Sequence, residues 1–148
     1  MIKFVADDHW MYYNPHPKLK YTRDCVKRAI CAVTGEDYMD VQRELNRIRH
    51  RLADEHPEWP ESYYESFRCK HVHNQYAIDH GWTLRRFTDE GVYDASVMTA
   101  GRFCKEHPKG KYILHQYRHW VACIDGQIWD WSNVSEEAVD HYWIVEDE

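Results

Sequence analysis

Cys25, His119 and Asp130 are the residues whose types and spacing best suit acyl-transfer chemistry, and two of them can be placed side by side by counting alone. Asp125-Gly126 sits between two runs rich in β-branched and aromatic residues, 119–124 and 127–131, the strongest short-range signal for a two-residue type I′ hairpin. Counting outward from that turn opposes Ile124 to Gln127, Cys123 to Ile128, Ala122 to Trp129, Val121 to Asp130 and His119 to Ser132. Opposed residues share a face and successive residues alternate faces. His119 and Asp130 therefore become diagonal neighbours on one side of the hairpin. Diagonal backbone positions lie roughly 7–8 Å apart, a gap that an imidazole and a carboxylate can close to a hydrogen bond. Such a contact holds one imidazole tautomer and stabilises its protonated form, the orienting role of aspartate in nucleophile–His–Asp sites.

A base so oriented needs a nucleophile. Cys25 is expected in the first turn of a helix, where unpaired backbone N–H groups and the positive end of the dipole favour a thiolate. Lys20, Arg23, Lys27 and Arg28 surround it in sequence and add to that field. The same N–H groups can stabilise a developing oxyanion. Cys31, Cys104 and Cys123 fall within a helix or a strand and read as packing, while Cys69 is ambiguous. Metal binding is the competing use of these side chains. Cys69-x-His71-x-His73 clusters three ligand types, with His107 and His115 also available. Structural zinc sites more often show C-x₂₋₄-C and H-x₃₋₅-H spacing, and on a helix these three would splay apart, so no metal or other cofactor is expected.

The elements that must position the three residues follow from hydrophobic periodicity. Val26, Ala29, Ile30 and Val33 mark a first helix, capped by Thr22 or Asp24 and ended by Gly35. Tyr38, Val41, Leu45, Ile48 and Leu52 mark a second, with Asp37 as its N-cap. Pro57 and Pro60 make 53–66 an irregular excursion with aromatic anchors. Its Trp59, Tyr63, Tyr64 and neighbouring Phe67 are a candidate protein-binding surface. A third helix is expected over about 69–80, ended by Gly81. A strand follows at 82–87, then a fourth helix at roughly 96–106 that stops at Pro108-Lys109-Gly110. Strand signals then run over 111–117, 119–124, 127–131 and 141–145. Helices ahead of a mostly antiparallel C-terminal sheet make an α+β domain, and with no repeat or linker in the chain, 1–148 reads as one domain.

A helix-opening cysteine, a histidine starting a central strand and an aspartate on the next strand resemble the papain-like cysteine peptidase superfamily. The string Asp24-Cys25-x-x-Arg28-Ala29-Ile30, Gly35, Tyr38-x-x-Val41, Lys109-Gly110-x-Tyr112-Ile113 and His119-Trp120-Val121-Ala122-x-Ile124-Asp125-Gly126-x-Ile128-x-Asp130 is similar to small, mostly uncharacterised papain-like proteins of bacteria and phages. Carried over by position, the resemblance implies that Cys25 is the nucleophile, His119 the general base and acid, and Asp130 the residue orienting His119. The C-G-[SA]-C-[WY] signature of papain and the cathepsins is absent around Cys25. The upstream glutamine that many relatives use as oxyanion donor is absent too. Asn14, Thr22, Gln116 or the Cys25 amide alone are the candidates for that role.

Composition narrows the partners. Over 148 residues, 19 Lys+Arg against 25 Asp+Glu give a net charge of −6, which argues against broad adhesion to nucleic acid or anionic lipid. Apolar content of 43% is too high for a disordered chain, and no run approaches the roughly 18 apolar residues of a membrane helix. Five scattered cysteines and an N-terminus without an apolar core segment point to a reducing cytoplasm. The expected function is hydrolysis of a peptide or isopeptide bond in a peptide or protein substrate. Deamidation, transglutamination and acetyl transfer use the same machinery. The contrasting expectation is a non-enzymatic interaction protein on the same scaffold, such as a phage-type inhibitor of a host factor. Oligomeric state is not readable from the sequence. The basic run from Lys18 to Arg28, where it borders the cleft, would favour acidic or phosphate-bearing ligands.

Overall fold

The computed structural model describes residues 9–16, 24–63, 70–91 and 98–146. They form an α+β arrangement of four α-helices and a six-stranded mixed sheet. Helix α1 (Cys25–Thr34) buries Val26, Ala29, Ile30 and Val33, the four residues that its periodicity marks. It ends at Gly35, whose φ of 74° is left-handed and lets its N–H bond the Cys31 carbonyl. Helix α2 (Tyr38–Glu55) buries the five marked residues, and the Asp37 side chain accepts from the Met39 amide at 2.9 Å. It takes in residues 53–55 of the expected excursion. Helix α3 (Lys70–Asp79) and helix α4 (Ala100–Glu106) follow, the latter capped by the Thr99 hydroxyl and ended at His107. The expected beginnings of these two helices, Cys69 and Ser96, lie outside the described residues, as do Thr22, Tyr64, Phe67 and most of the basic run.

Strands β3 (Lys111–Gln116), β4 (His119–Ile124), β5 (Gln127–Asp130) and β6 (His141–Glu146) form the sheet's centre, and β2 (Thr83–Arg86) pairs with β6 at one edge. The other edge departs from expectation. Trp10–Tyr12 forms β1, a three-residue strand parallel to β5 that is not among the expected strands. Three residues are too few to show a period, and the strand is held by its ladder to β5 rather than by its own pattern. The strand order is β1-β5-β4-β3-β6-β2, with every pair antiparallel except β1 with β5.

Alternation along the strands builds two cores. On one face Ile113, Trp120, Ala122 and Trp143 pack under α1, α2 and α3. On the other, Leu114, Val121, Cys123, Ile128 and Tyr142 pack with Phe103 of α4. Helix α4, short and buried through Ala100, Phe103 and Cys104, covers the face opposite to α1, α2 and α3.

Candidate active site

The β4–β5 turn has Asp125 at φ 48° and Gly126 at φ 79°, the left-handed pair that a type I′ hairpin requires. The register follows the outward count: Ile124 opposes Gln127, Cys123 opposes Ile128 and Ala122 opposes Trp129. The ladder ends there, short of the expected pairs at Val121 and His119. Beyond it β5 is held on its other side, where the Asp130 carbonyl accepts from the Tyr13 amide and the Trp10 indole N–H, both at 2.9 Å. The missed strand β1 therefore fixes the backbone of a candidate site residue.

His119 Nε2 lies 2.5 Å from Asp130 Oδ2, the contact that diagonal placement anticipates. An imidazole has two ring nitrogens, so Nδ1 is the atom left to act on Cys25, whose thiol and the His119 ring shift each other's titration. Cys25 opens α1 and is partly exposed, with its sulfur 3.9 Å from the Arg118 carbonyl. The β4–β5 register runs no further than Ala122 and Trp129, and the Trp120 amide acts on the Cys25 sulfur.

Electrostatics follow this geometry. Burial raises the Cys25 thiol, but the His119 hydrogen bond and charge, the Trp120 amide and the Arg28 charge outweigh it, so the thiol lies below its ordinary range. Burial lowers His119, yet its bonds to Asp130 and Cys25 and their charges carry it up to about 9. The arrangement favours a thiolate beside an imidazolium, a nucleophile paired with a proton donor. Cys31 is a contrast within the same helix. Burial and the charges of Asp37, Glu36 and Asp24 push its thiol up to about 12.

Arg28 acts in this site through charge and position, where sequence reading saw only one of several flanking cations. Its guanidinium is buried, donates to Asp24 Oδ1 at 2.9 Å, lies 3.7 Å from Asp130 Oδ1 and stacks 4.4 Å from the Trp131 ring. Asp24 occupies the N-cap position but makes no side-chain cap. Its carboxylate serves Arg28 and the Tyr38 hydroxyl (2.8 Å) instead. Asp130 Oδ1 also accepts from the Trp131 amide at 2.7 Å. The signal that could have found Arg28 was its i+4 spacing from Asp24, which puts both on one side of α1.

The oxyanion candidates separate. Gln116 is buried, and its Nε2 gives its hydrogens to the Val134 and Glu137 carbonyls, both at 3.1 Å. That amide is committed to the loop after β5 and is not free to serve Cys25. Asn14 Oδ1 accepts from the His16 amide at 3.1 Å, a local turn contact. Thr22 lies outside the described residues. The Cys25 amide, at the first position of α1, is left without a helical carbonyl by its place in the helix.

Of the expected metal-ligand residues, Cys69 lies outside the described residues. His71 stacks with Tyr63 and Trp59, and His73 faces Trp120 at 5.8 Å. His107 stacks on Phe103 at 3.8 Å. Trp59 also stacks on His56 at 3.7 Å and packs against the core, so it anchors the excursion. His115, Asp140 and His141 converge with ligand atoms within 4.8 Å of one another. The two imidazoles, however, stack at 4.3 Å and 10°, with Asp140 Oδ1 2.6 Å from His115 Nδ1 and 3.0 Å from His141 Nδ1, and rings stacked in parallel cannot aim both in-plane lone pairs at one ion. No helix among the described residues is long and apolar enough to cross a membrane. No protein-family model matches the chain, and neither a curated protein nor a solved structure matches it.

Proposed function

We propose that the protein is a cysteine-dependent acyl-transfer enzyme of papain-like type, hydrolysing a peptide or isopeptide bond through Cys25, His119 and Asp130. The observation that carries this reading is the His119–Asp130 hydrogen bond at 2.5 Å beside a thiol that His119 lowers. In the proposed reaction the thiolate adds to the acyl carbon, and the carbonyl electrons move to oxygen beside the unpaired amides of the first turn of α1. Collapse of that intermediate breaks the carbon–nitrogen bond, and the His119 imidazolium gives its proton to the departing amine. Water, deprotonated by the now neutral His119, then cleaves the thioester and regenerates the thiolate. Asp130 keeps the ring oriented through Nε2, and Arg28 holds Asp130.

Alkylation tests the nucleophile. Iodoacetamide at pH 7 should modify Cys25 faster than the other four cysteines, and His119→Ala should slow that reaction at least tenfold as the thiol returns toward its ordinary range. An acyl-reactive probe should label wild type and not Cys25→Ala. Equal reactivity across all five thiols would favour the interaction-protein reading.

A further inference from the structure

Lys27 of α1 and Arg49 of α2 are joined through two side-chain amides, and neither forms an ion pair among the described residues. Lys27 of α1 donates to Gln42 Oε1 at 2.5 Å and lies 5.1 Å from the centre of the Tyr38 ring. Gln42 Nε2 donates to Asn46 Oδ1 at 3.1 Å, and the same oxygen accepts from Arg49 at 2.6 Å. Gln42, Asn46 and Arg49 follow one another along a single side of α2 at i, i+4 and i+7. His73 of α3 lies 5.8 Å from the Trp120 ring, where the charges of Arg49 and Lys27 act on it.

Neither cation has an acidic partner of its own. Among the described residues, Lys27, Arg49 and His73 form no salt bridge. Asp24, the acid that acts on Lys27, is engaged by Arg28 and Tyr38. The Arg49 Nε–H is buried with no hydrogen-bond partner, although buried donors are ordinarily satisfied. Two like charges are thus held half-buried and bridged by neutral amides, with Arg49 opposing the charge on Lys27 against the pull of Asp24. Lys27, Arg49 and His73 all keep partial access to solvent.

We propose that Lys27, Arg49 and His73 form a binding site for a phosphate group. Two fixed positive charges match a dianion better than a monocarboxylate. The guanidinium supplies a planar fork for its oxygens, and the ammonium a movable point charge. Burial and the charges of Arg49 and Lys27 hold His73 at about 4 without a ligand, so the imidazole stays a neutral donor until a bound anion draws a proton to it. Trp120 links this place to the thiol: its ring faces His73 while its amide acts on Cys25.

Calorimetric titration of the full chain with inorganic phosphate, at pH 7 and fixed ionic strength in chloride, tests the site. Saturable binding of one phosphate is expected, at least tenfold tighter than acetate. Lys27→Gln and Arg49→Gln should each weaken it tenfold or more, the loss of one charge-assisted hydrogen bond. Cys25→Ala should leave it unchanged, which separates this site from the acyl-transfer reading. O-phosphoserine in a parallel titration distinguishes a site for phosphate esters, where it binds as well as phosphate, from one for the free ion; either result supports the site. In chloride alone both Gln variants should melt at or above the wild-type temperature, because a repulsion has been removed. Absence of saturable phosphate binding, undiminished binding in both Gln variants, or a marked fall in both melting temperatures would overturn the proposal.

Discussion

Cys25 loses its proton below the ordinary thiol range, and His119 keeps its own until about 9, so between those points the two side chains form an ion pair. The raised histidine contributes stability that is fully present below its ordinary value of 6.5 and disappears as pH rises through about 9. The lowered thiol contributes above its ordinary value of 9.0, and that contribution is lost as pH falls through its own value in the folded protein. Alkylation of Cys25 should consequently show its single inflection below the range of an unperturbed thiol. Asp130→Asn removes the charge that raises His119, so the upper limit of the ion pair should move down from about 9, read by titrating the His119 ring resonances. Arg28→Met leaves the Asp24 and Asp130 carboxylates buried with no cation between them. Removing one member of a buried ion pair costs about 3–5 kcal/mol, so urea melts of this variant should show a loss of that order. The Cys25 inflection should also move up, since the Arg28 charge helps to lower it.

At the scale of elements, the hairpin at Asp125-Gly126 carries the placement of His119 against Asp130. Gly126→Ala would force a Cβ onto a backbone at φ 79°, 3.3 Å from the Pro108 Cα. The left-handed conformation alone costs about 1–2 kcal/mol for a residue with a Cβ, so a fall in the urea midpoint corresponding to at least that much is expected. This turn was legible in the sequence because its two residues are those that tolerate left-handed angles, and the register then followed by counting. Helices α1 and α2 were legible for a similar local reason: their buried residues repeat at helical spacing. What could not be read depends on contacts between distant segments. Strand β1 exists through its pairing with β5, well over a hundred residues away. The fate of Gln116 was hidden likewise, since a glutamine near the base in sequence looks available until the carbonyls of Val134 and Glu137 claim it.

At the scale of the molecule, the sheet separates two cores, and the helix that carries Cys25 rests on one of them. Cys25 is carried by α1, whose Ile30 is fully buried against the same sheet face as Trp120 and Ala122. His119 and Asp130 are carried by the sheet itself, so their distance from the sulfur is set by how α1 rests on that face. Leu114 is equally buried in the second core, with Phe103 of α4 and Tyr142 around it. Truncating either residue to alanine removes the same number of buried carbons and should cost about 2–5 kcal/mol of stability. The two changes should differ at the thiol. Ile30→Ala loosens the seat of α1, so the sulfur loses part of its contact with His119 and the alkylation inflection of Cys25 moves toward the ordinary thiol value. Leu114→Ala lowers the melting temperature to a similar extent but leaves α1 seated, and its inflection should stay where wild type has it. Equal inflections in the two variants would mean that the helix is held at its first turn by the Asp24–Arg28–Asp130 contacts alone, independently of the core beneath it.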